Sequence, residues 1–192
     1  MKQRWSGWAL AAGALAISAT AVAAPPTPEM ISFACAGCHG TSGGSAGLMM
    51  PSLANQSKTA IVEAMKKFKN GERPSTVMGR LAKGYTDADF DAMGDFFSKQ
   101  KLHVTQQVVD AAKVKKGAGL EEENCSRCHL EGGKEGKDDT PVMASQWLPY
   151  MEMQMDLYLS GKRKMPEKMK EKVDKLSKPD IDALLHYYAS QK

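Results

Sequence analysis

The chain has 192 residues, 26 of them Lys or Arg and 22 Asp or Glu, for a formal net charge of +4. With 25% charged and 42% hydrophobic residues, it has the composition of a folded soluble protein, which excludes disordered and collagen-like chains and disfavours a strongly basic nucleic-acid binder. Aromatic residues make up only 7%, thin for a core of this length unless something other than side chains fills it.

Residues 1–23 read as a secretory signal. Lys2 and Arg4 form a charged start, Trp8 to Val22 an apolar stretch, and Ala21-Val22-Ala23 a small-residue cleavage site. The mature chain is expected to begin at Ala24 and to work in the periplasm. An uncleaved membrane anchor is the competing reading, for which the Ala-rich segment is short. Without Lys2 and Arg4, 24 basic groups face 22 acidic ones, and the charge falls to +2.

From Cys35 onward the chain repeats itself. Cys35-Ala36-Gly37-Cys38-His39 recurs 90 residues later as Cys125-Ser126-Arg127-Cys128-His129. The same offset pairs Pro51 with Pro141, Ala54 with Ala144, Gln56 with Gln146, Met65 with Met155, and Gly71-Glu72-Arg73 with Gly161-Lys162-Arg163. After a one-residue insertion the offset is 91, pairing Met78 with Met169, Asp89 with Asp180, and Phe96-Phe97 with Tyr187-Tyr188. The reading is two copies of one module, at residues 24–101 and 110–192, joined by a linker at 102–109.

In the first copy, Ile61, Ala64, Met65 and Phe68 fall at i, i+3, i+4 and i+7, which predicts an amphipathic helix stopping near Gly71. Thr86-Asp87-Ala88-Asp89 has the form of a capping box and predicts a second helix with Phe90, Met93, Gly94 and Phe97 on one face. The only stretch with strand character, Val104 to Val109, is ambiguous and lies in the linker. The second copy is expected to open on a short helix from about Asp110. Met151, Gln154, Met155 and Tyr158 then repeat the first stripe, with Gln154 interrupting it, and Gly161 again marks a stop. Ser177-Lys178-Pro179-Asp180 caps a last helix carrying Ile181, Leu184, Leu185 and Tyr188. The predicted class is all-α.

The pattern C-x-x-C-H is the attachment signature of c-type heme. Two thiols add across the vinyl groups, and the adjacent imidazole reaches the iron. A four-cysteine zinc site would leave both histidines without a role. A redox-active C-x-x-C belongs in an alternating strand and helix pattern, which is absent. A disulfide across two residues staples little chain. Two heme c groups, held by Cys35 and Cys38 and by Cys125 and Cys128, with His39 and His129 on the iron, also supply the missing apolar core.

The remaining axial ligand should obey the repeat. His103 lies in the linker and His186 aligns with Asp95, whereas Met78 and Met169 stand 43 and 44 residues beyond the first cysteine of their copies. A thioether favours ferrous iron and raises the reduction potential. Met165 is the rival to Met169. Met49 and Met50 precede Pro51 in a loop expected to line a heme, and Met151, Met153 and Met155 read as core or pocket wall. Two stretches around the ligand methionines are basic. Gly161 to Lys178 carries eight basic and three acidic groups, and Lys58 to Lys83 carries seven against two. They are either solvated helix faces or rims that steer acidic partners.

Cys35-Ala36-Gly37-Cys38-His39-Gly40-Thr41, Met78-Gly79-Arg80-Leu81-Ala82-Lys83-Gly84-Tyr85, Cys128-His129-Leu130-Glu131-Gly132-Gly133-Lys134, Gln146-Trp147-Leu148-Pro149-Tyr150 and the ending Tyr188-Ala189-Ser190-Gln191 resemble the cytochrome subunits of flavocytochrome c sulfide dehydrogenases. These consist of tandem class I cytochrome c domains. The resemblance implies that a separate flavoprotein subunit carries FAD, oxidises sulfide and passes electrons one at a time to this chain. The chain would then be half of a heterodimer, not catalytic alone, and would deliver to a soluble acceptor such as another cytochrome. Consistent with this, its glycine clusters follow the cysteine motifs and form no G-x-G-x-x-G between strand and helix. The alternative is a free-standing diheme shuttle that feeds a terminal oxidase. A diheme peroxidase would need one iron with an open position, and both copies offer a methionine.

Overall fold

The computed structural model describes residues 25–136 and 138–192, so the signal assigned to residues 1–23 lies outside the described residues. The first module contains α1 (Pro28–Phe33), α2 (Ala36–His39), α3 (Lys58–Lys69), α4 (Met78–Leu81) with a 3₁₀ turn at Ala82–Gly84, and α5 (Asp87–Ser98). The second contains α6 (Ala111–Asn124), a short turn α7 (Leu130–Gly133), β1 (Glu135–Gly136), α8 (Leu148–Leu159), α9 (Glu167–Val173) and α10 (Lys178–Ser190). The all-α expectation holds. Among the described residues, regular β structure is confined to β1, which forms bridges to His129 and Leu130.

Local signals set the helix ends. Ser57 caps α3 through the Ala60 N–H, and the chain leaves that helix through Gly71 at φ 78°. Gly161 does the same after α8 at φ 71°. That left-handed position costs a glycine nothing sterically. Thr86 and Ser177 form complete capping boxes with Asp89 and Asp180 at the starts of α5 and α10. Stretch 104–109 is neither strand nor helix but an extended strap pinned to the second module. Gln107 donates to the carbonyls of Gln146 and Ala189 at 2.9 and 3.3 Å and accepts from the Leu148 N–H at 2.8 Å.

Each module buries one core. Ile61, Val62 and Met65 of α3 meet Phe90, Met93 and Phe97 of α5, with Ala82 between them. In the second module Met151 meets Leu184, Leu185, Tyr188 and Ala189 of α10. Helix α6 packs along α10, and Gly117 permits that approach, since a Cβ there would lie 2.2 Å from the Ala183 carbonyl oxygen.

The two modules meet through exchanged side chains. Gln56 donates to the Val142 carbonyl at 2.8 Å and accepts from the Val142 N–H at 2.9 Å. Gln146 does the same for Ser52, at 3.1 and 2.9 Å. The 90-residue offset maps Gln56 onto Gln146 and Ser52 onto Val142, so the seam has an approximate two-fold axis. The backbone beneath follows the same symmetry. Asn55 and Ser145 are both left-handed, at φ 66° and 57°, and their N–H groups donate to the carbonyls of Phe97 and Tyr188. Across the same seam, the Trp147 indole donates to the Ser45 carbonyl at 2.9 Å.

Candidate functional site

In each module one tight turn gathers the cysteine motif. The N–H groups of Cys38 and His39 both donate to the Cys35 carbonyl, at 3.2 and 2.9 Å, and those of Cys128 and His129 both donate to Cys125, at 3.0 Å. Residues at i, i+3 and i+4 share one face of such a turn. The first cysteine of each pair is half-buried and the second exposed, and all four are free thiols. Among the described residues no three His, Cys, Asp or Glu side chains converge on a metal-sized site, so the two pairs do not assemble the four-cysteine alternative.

The imidazoles are prepared as neutral donors. His39 Nδ1 lies 2.8 Å from the Pro51 carbonyl oxygen. A carbonyl only accepts, so Nδ1 carries the proton and Nε2 keeps its lone pair. Burial pulls the His39 pKa down against a smaller upward pull from Pro51, which keeps the ring neutral. His129 follows the same pattern, with Pro141 in the equivalent place. There Nδ1 is buried without completing a hydrogen bond, although the Pro141 carbonyl is near enough to oppose the burial effect. The Pro51 carbonyl thus orients the first ring, and the repeat puts Pro141 beside the second.

Met78 opens α4, is half-buried and packs on the core cluster that also receives Cys35. Met169 is the third residue of α9 and Met165 precedes its Pro166 cap; both are half-buried, and neither packs on the second core cluster. The 91-residue register carries through this segment, because Ala82 and Val173 are both buried and Thr86 and Ser177 both cap the following helix. Met49 and Met50 are exposed.

Sequence reasoning aligned Arg73 with Arg163 but gave neither a role. The two guanidinium groups share one acceptor at the seam: Arg73 donates to Gln154 Oε1 at 3.2 Å and to the Tyr150 hydroxyl at 3.1 Å, and Arg163 donates to the same Gln154 oxygen. Each lies over an aromatic ring, Arg73 on Phe68 at 4.6 Å and Arg163 on Tyr158 at 4.3 Å. Burial, and next the charge of Arg73, pull Arg163 down to about 10. No ion pair of either arginine with a carboxylate is present among the described residues. Two half-buried like charges without a counter-charge fit an anionic group delivered by something other than the chain. The propionates of a porphyrin are such groups, and free thiols beside neutral imidazoles suit its vinyl groups and iron. The interruption of the α8 stripe by Gln154 was the available signal.

Comparison with known proteins agrees with this chemistry. Residues 112–187 match the family model described as cytochrome c oxidase, cbb3-type, subunit III. The chain is 30% identical over 70 residues to cytochrome c-554(548) of Halomonas halodenitrificans, covering 35% of this chain and 84% of that protein. The chain belongs to the c-type cytochromes. As a diheme cytochrome its whole fold resembles reduced recombinant cytochrome c4 from Pseudomonas stutzeri, with a TM-score of 0.75 and 25% identity, covering 86% of this chain and 97% of that one. It is an electron carrier with two heme c domains that resemble those of cytochrome c4. A stretch of 69 residues is 48% identical to the cytochrome subunit of sulfide dehydrogenase of Chlorobaculum tepidum, and spans 36% of this cytochrome and 62% of that relative.

Proposed function

We propose that this cytochrome is the electron-accepting subunit of a sulfide-oxidising flavocytochrome, working in the periplasm beside an FAD-bearing partner and delivering electrons to a soluble acceptor. The single observation that carries the reading is the 48% identity to a sulfide dehydrogenase cytochrome subunit. In this reading Cys35 and Cys38 hold one heme and Cys125 and Cys128 the other. His39 and His129 are the proximal ligands, and Met78 and Met169 the distal ones. Heme iron supplies a one-electron site, and a distal thioether tunes it toward accepting electrons. The chain's own contribution is to fix the His39 tautomer through Pro51, to offer Arg73 and Arg163 to the propionates, and to exclude water with the two cores.

The test is anaerobic mixing with sulfide. With the flavoprotein present, sulfide is expected to reduce both hemes, and a flavin-containing subunit is expected to co-purify with the cytochrome. Isolation as a lone flavin-free protein, whose hemes stay oxidised in such mixtures, favours the second reading. That reading is a free diheme shuttle, and the likeness to cytochrome c4 over 86% of the chain supports it.

A further inference from the structure

Two buried polar groups beside the second cysteine pair have no counterpart in the first module. By the repeat offsets Glu121 takes the place of Ile31, and Tyr188 that of Phe97. Ile31 and Phe97 belong to an apolar cluster with Cys35. Glu121 is 5% exposed and Tyr188 3%, so the exchange puts a carboxyl and a phenol where the first module has only hydrocarbon. Glu121 Oε1 is buried without a hydrogen-bond partner, and the buried Tyr188 hydroxyl lies beside the Cys125 thiol. Glu121 lies one turn before Cys125, whose N–H donates to its carbonyl at 2.8 Å. Tyr188 stacks toward His129 with ring centroids 5.7 Å apart.

The charged surroundings are one-sided. Burial first, and then the neighbouring Glu122, push the Glu121 carboxyl above the usual carboxylate range. From α10, Tyr187 and Tyr188 face it, and both phenols are pushed up by burial, with Glu121 adding to the effect. Cys125 follows on the same side, within the field of Glu121 and of Lys172 from α9. The other lysines of the α6 and α10 contact are engaged, Lys113 with Asp182 and Lys116 with Asp180, each at 2.7 Å. His186 accepts from the Asp110 N–H at 3.0 Å and stands 3.7 Å from Asp182, at the far end of α6. Among the described residues no cation pairs with Glu121.

We propose that Glu121 binds a proton when the second heme is reduced and releases it on oxidation. An electron arriving at the ferric iron adds one negative charge to a region that already holds an uncompensated carboxylate. Like charges in a poorly polarisable interior repel, so the reduced protein binds the proton more tightly. By reciprocity, the bound proton makes reduction easier. The balance is simple: a one-electron donor converts ferric to ferrous iron, and a proton from solvent forms an O–H bond on the Glu121 carboxylate. Reoxidation reverses both. The first module has Ile31 and Phe97 at these positions and lacks the coupling.

The test is a spectroelectrochemical titration of the holoprotein over a pH series, with inert mediators and no flavoprotein, so that its outcome is separate from that of the sulfide reaction. One of the two potentials is expected to fall as pH rises, by up to about 59 mV per unit in the coupled window, which is the one-electron equivalent of a tenfold change in proton concentration. The other potential is expected to show no such slope. Glu121→Gln should flatten the coupled one, and so should Glu121→Ile, which restores the residue of the first module and serves if the glutamine variant fails to fold. Two flat potentials in the unaltered protein, or a slope that survives either substitution and so belongs to another group such as a propionate, overturn the proposal.

Discussion

Gln56 and Gln146 show how much one side chain can fix. Each closes two hydrogen bonds on the backbone of the other module, and both are buried. Truncating either to alanine strands an N–H and a C=O inside the seam, at a cost of about 1–3 kcal/mol. Chemical denaturation of Gln56→Ala and Gln146→Ala should show that loss, and more of it for Gln146, whose Oε1 also accepts from the Trp147 N–H at 3.2 Å. The distal ligands are tested at the same scale. Met78→Ala and Met169→Ala should each remove the methionine-to-iron absorption band from one heme and lower its potential; if Met165→Ala does so instead, the register of the second module is wrong. The repeat exposed the matching glutamines and methionines, since periodic identity is visible in a string of letters. It was silent on what the glutamines bind, because equivalence does not say that the partners are exchanged. Glu121 was hidden for another reason: within the run Glu121-Glu122-Glu123 it looks like one more solvated charge, and only the packing of α6 on α10 buries it.

Among the elements, the capping boxes were fully legible, because Thr86, Asp89, Ser177 and Asp180 act on backbone within three residues. Thr86→Ala and Ser177→Ala should each cost about 1 kcal/mol in thermal or denaturant unfolding. The pH dependence of these caps has a definite sign. The folded state holds the Asp180 carboxyl down at about 2, chiefly through Lys116 and then Ser177, and holds Asp89 below its ordinary value through Thr86. A depressed carboxyl stabilises fully above its unfolded pKa and loses that contribution as pH falls toward the folded value. Melting curves should therefore drop as pH falls from about 4 toward 2, and less steeply in Asp180→Asn. Helix α6 was harder to read. It was expected to be short, yet it runs 14 residues through Gly117 and Gly119. Glycine lowers helix propensity, but tertiary contact prevails here, because Gly117 lets α10 come close. Gly117→Ala would improve propensity and still destabilise, by about 1–3 kcal/mol, through the clash with the Ala183 carbonyl. Denaturation of that variant checks the sign.

At the scale of the whole molecule, charge is distributed rather than abundant. Of the 24 basic and 22 acidic groups expected in the mature chain, the excess of two belongs to the first module and the second is neutral. Even so, Lys162, Lys164, Lys168, Lys170, Lys175 and Lys178 are exposed around α9, and among the described residues only Lys170 of these is paired, with Asp174. Such a field should steer an acidic redox partner, so stopped-flow rates with one should fall as ionic strength rises. Rates insensitive to salt would make this run a solvated face and nothing more. No helix among the described residues is long and apolar enough to cross a membrane. The modest aromatic content that looked insufficient at the outset suits a chain whose two cores are each finished by a porphyrin.

The exchanged glutamines bear on how one module recognises another. Both ends of each contact are a glutamine amide and a stretch of backbone, and backbone is the same whatever side chains it carries. A single module therefore holds a donor and a receptor for its own twin, arranged about a two-fold axis. The covalent pair has the geometry that a symmetric dimer of two such modules would have, with the strap at 104–109 on the path between them. Where the shared axis makes no demand the halves need not match, and Glu121 and Tyr188 stand in only one of them.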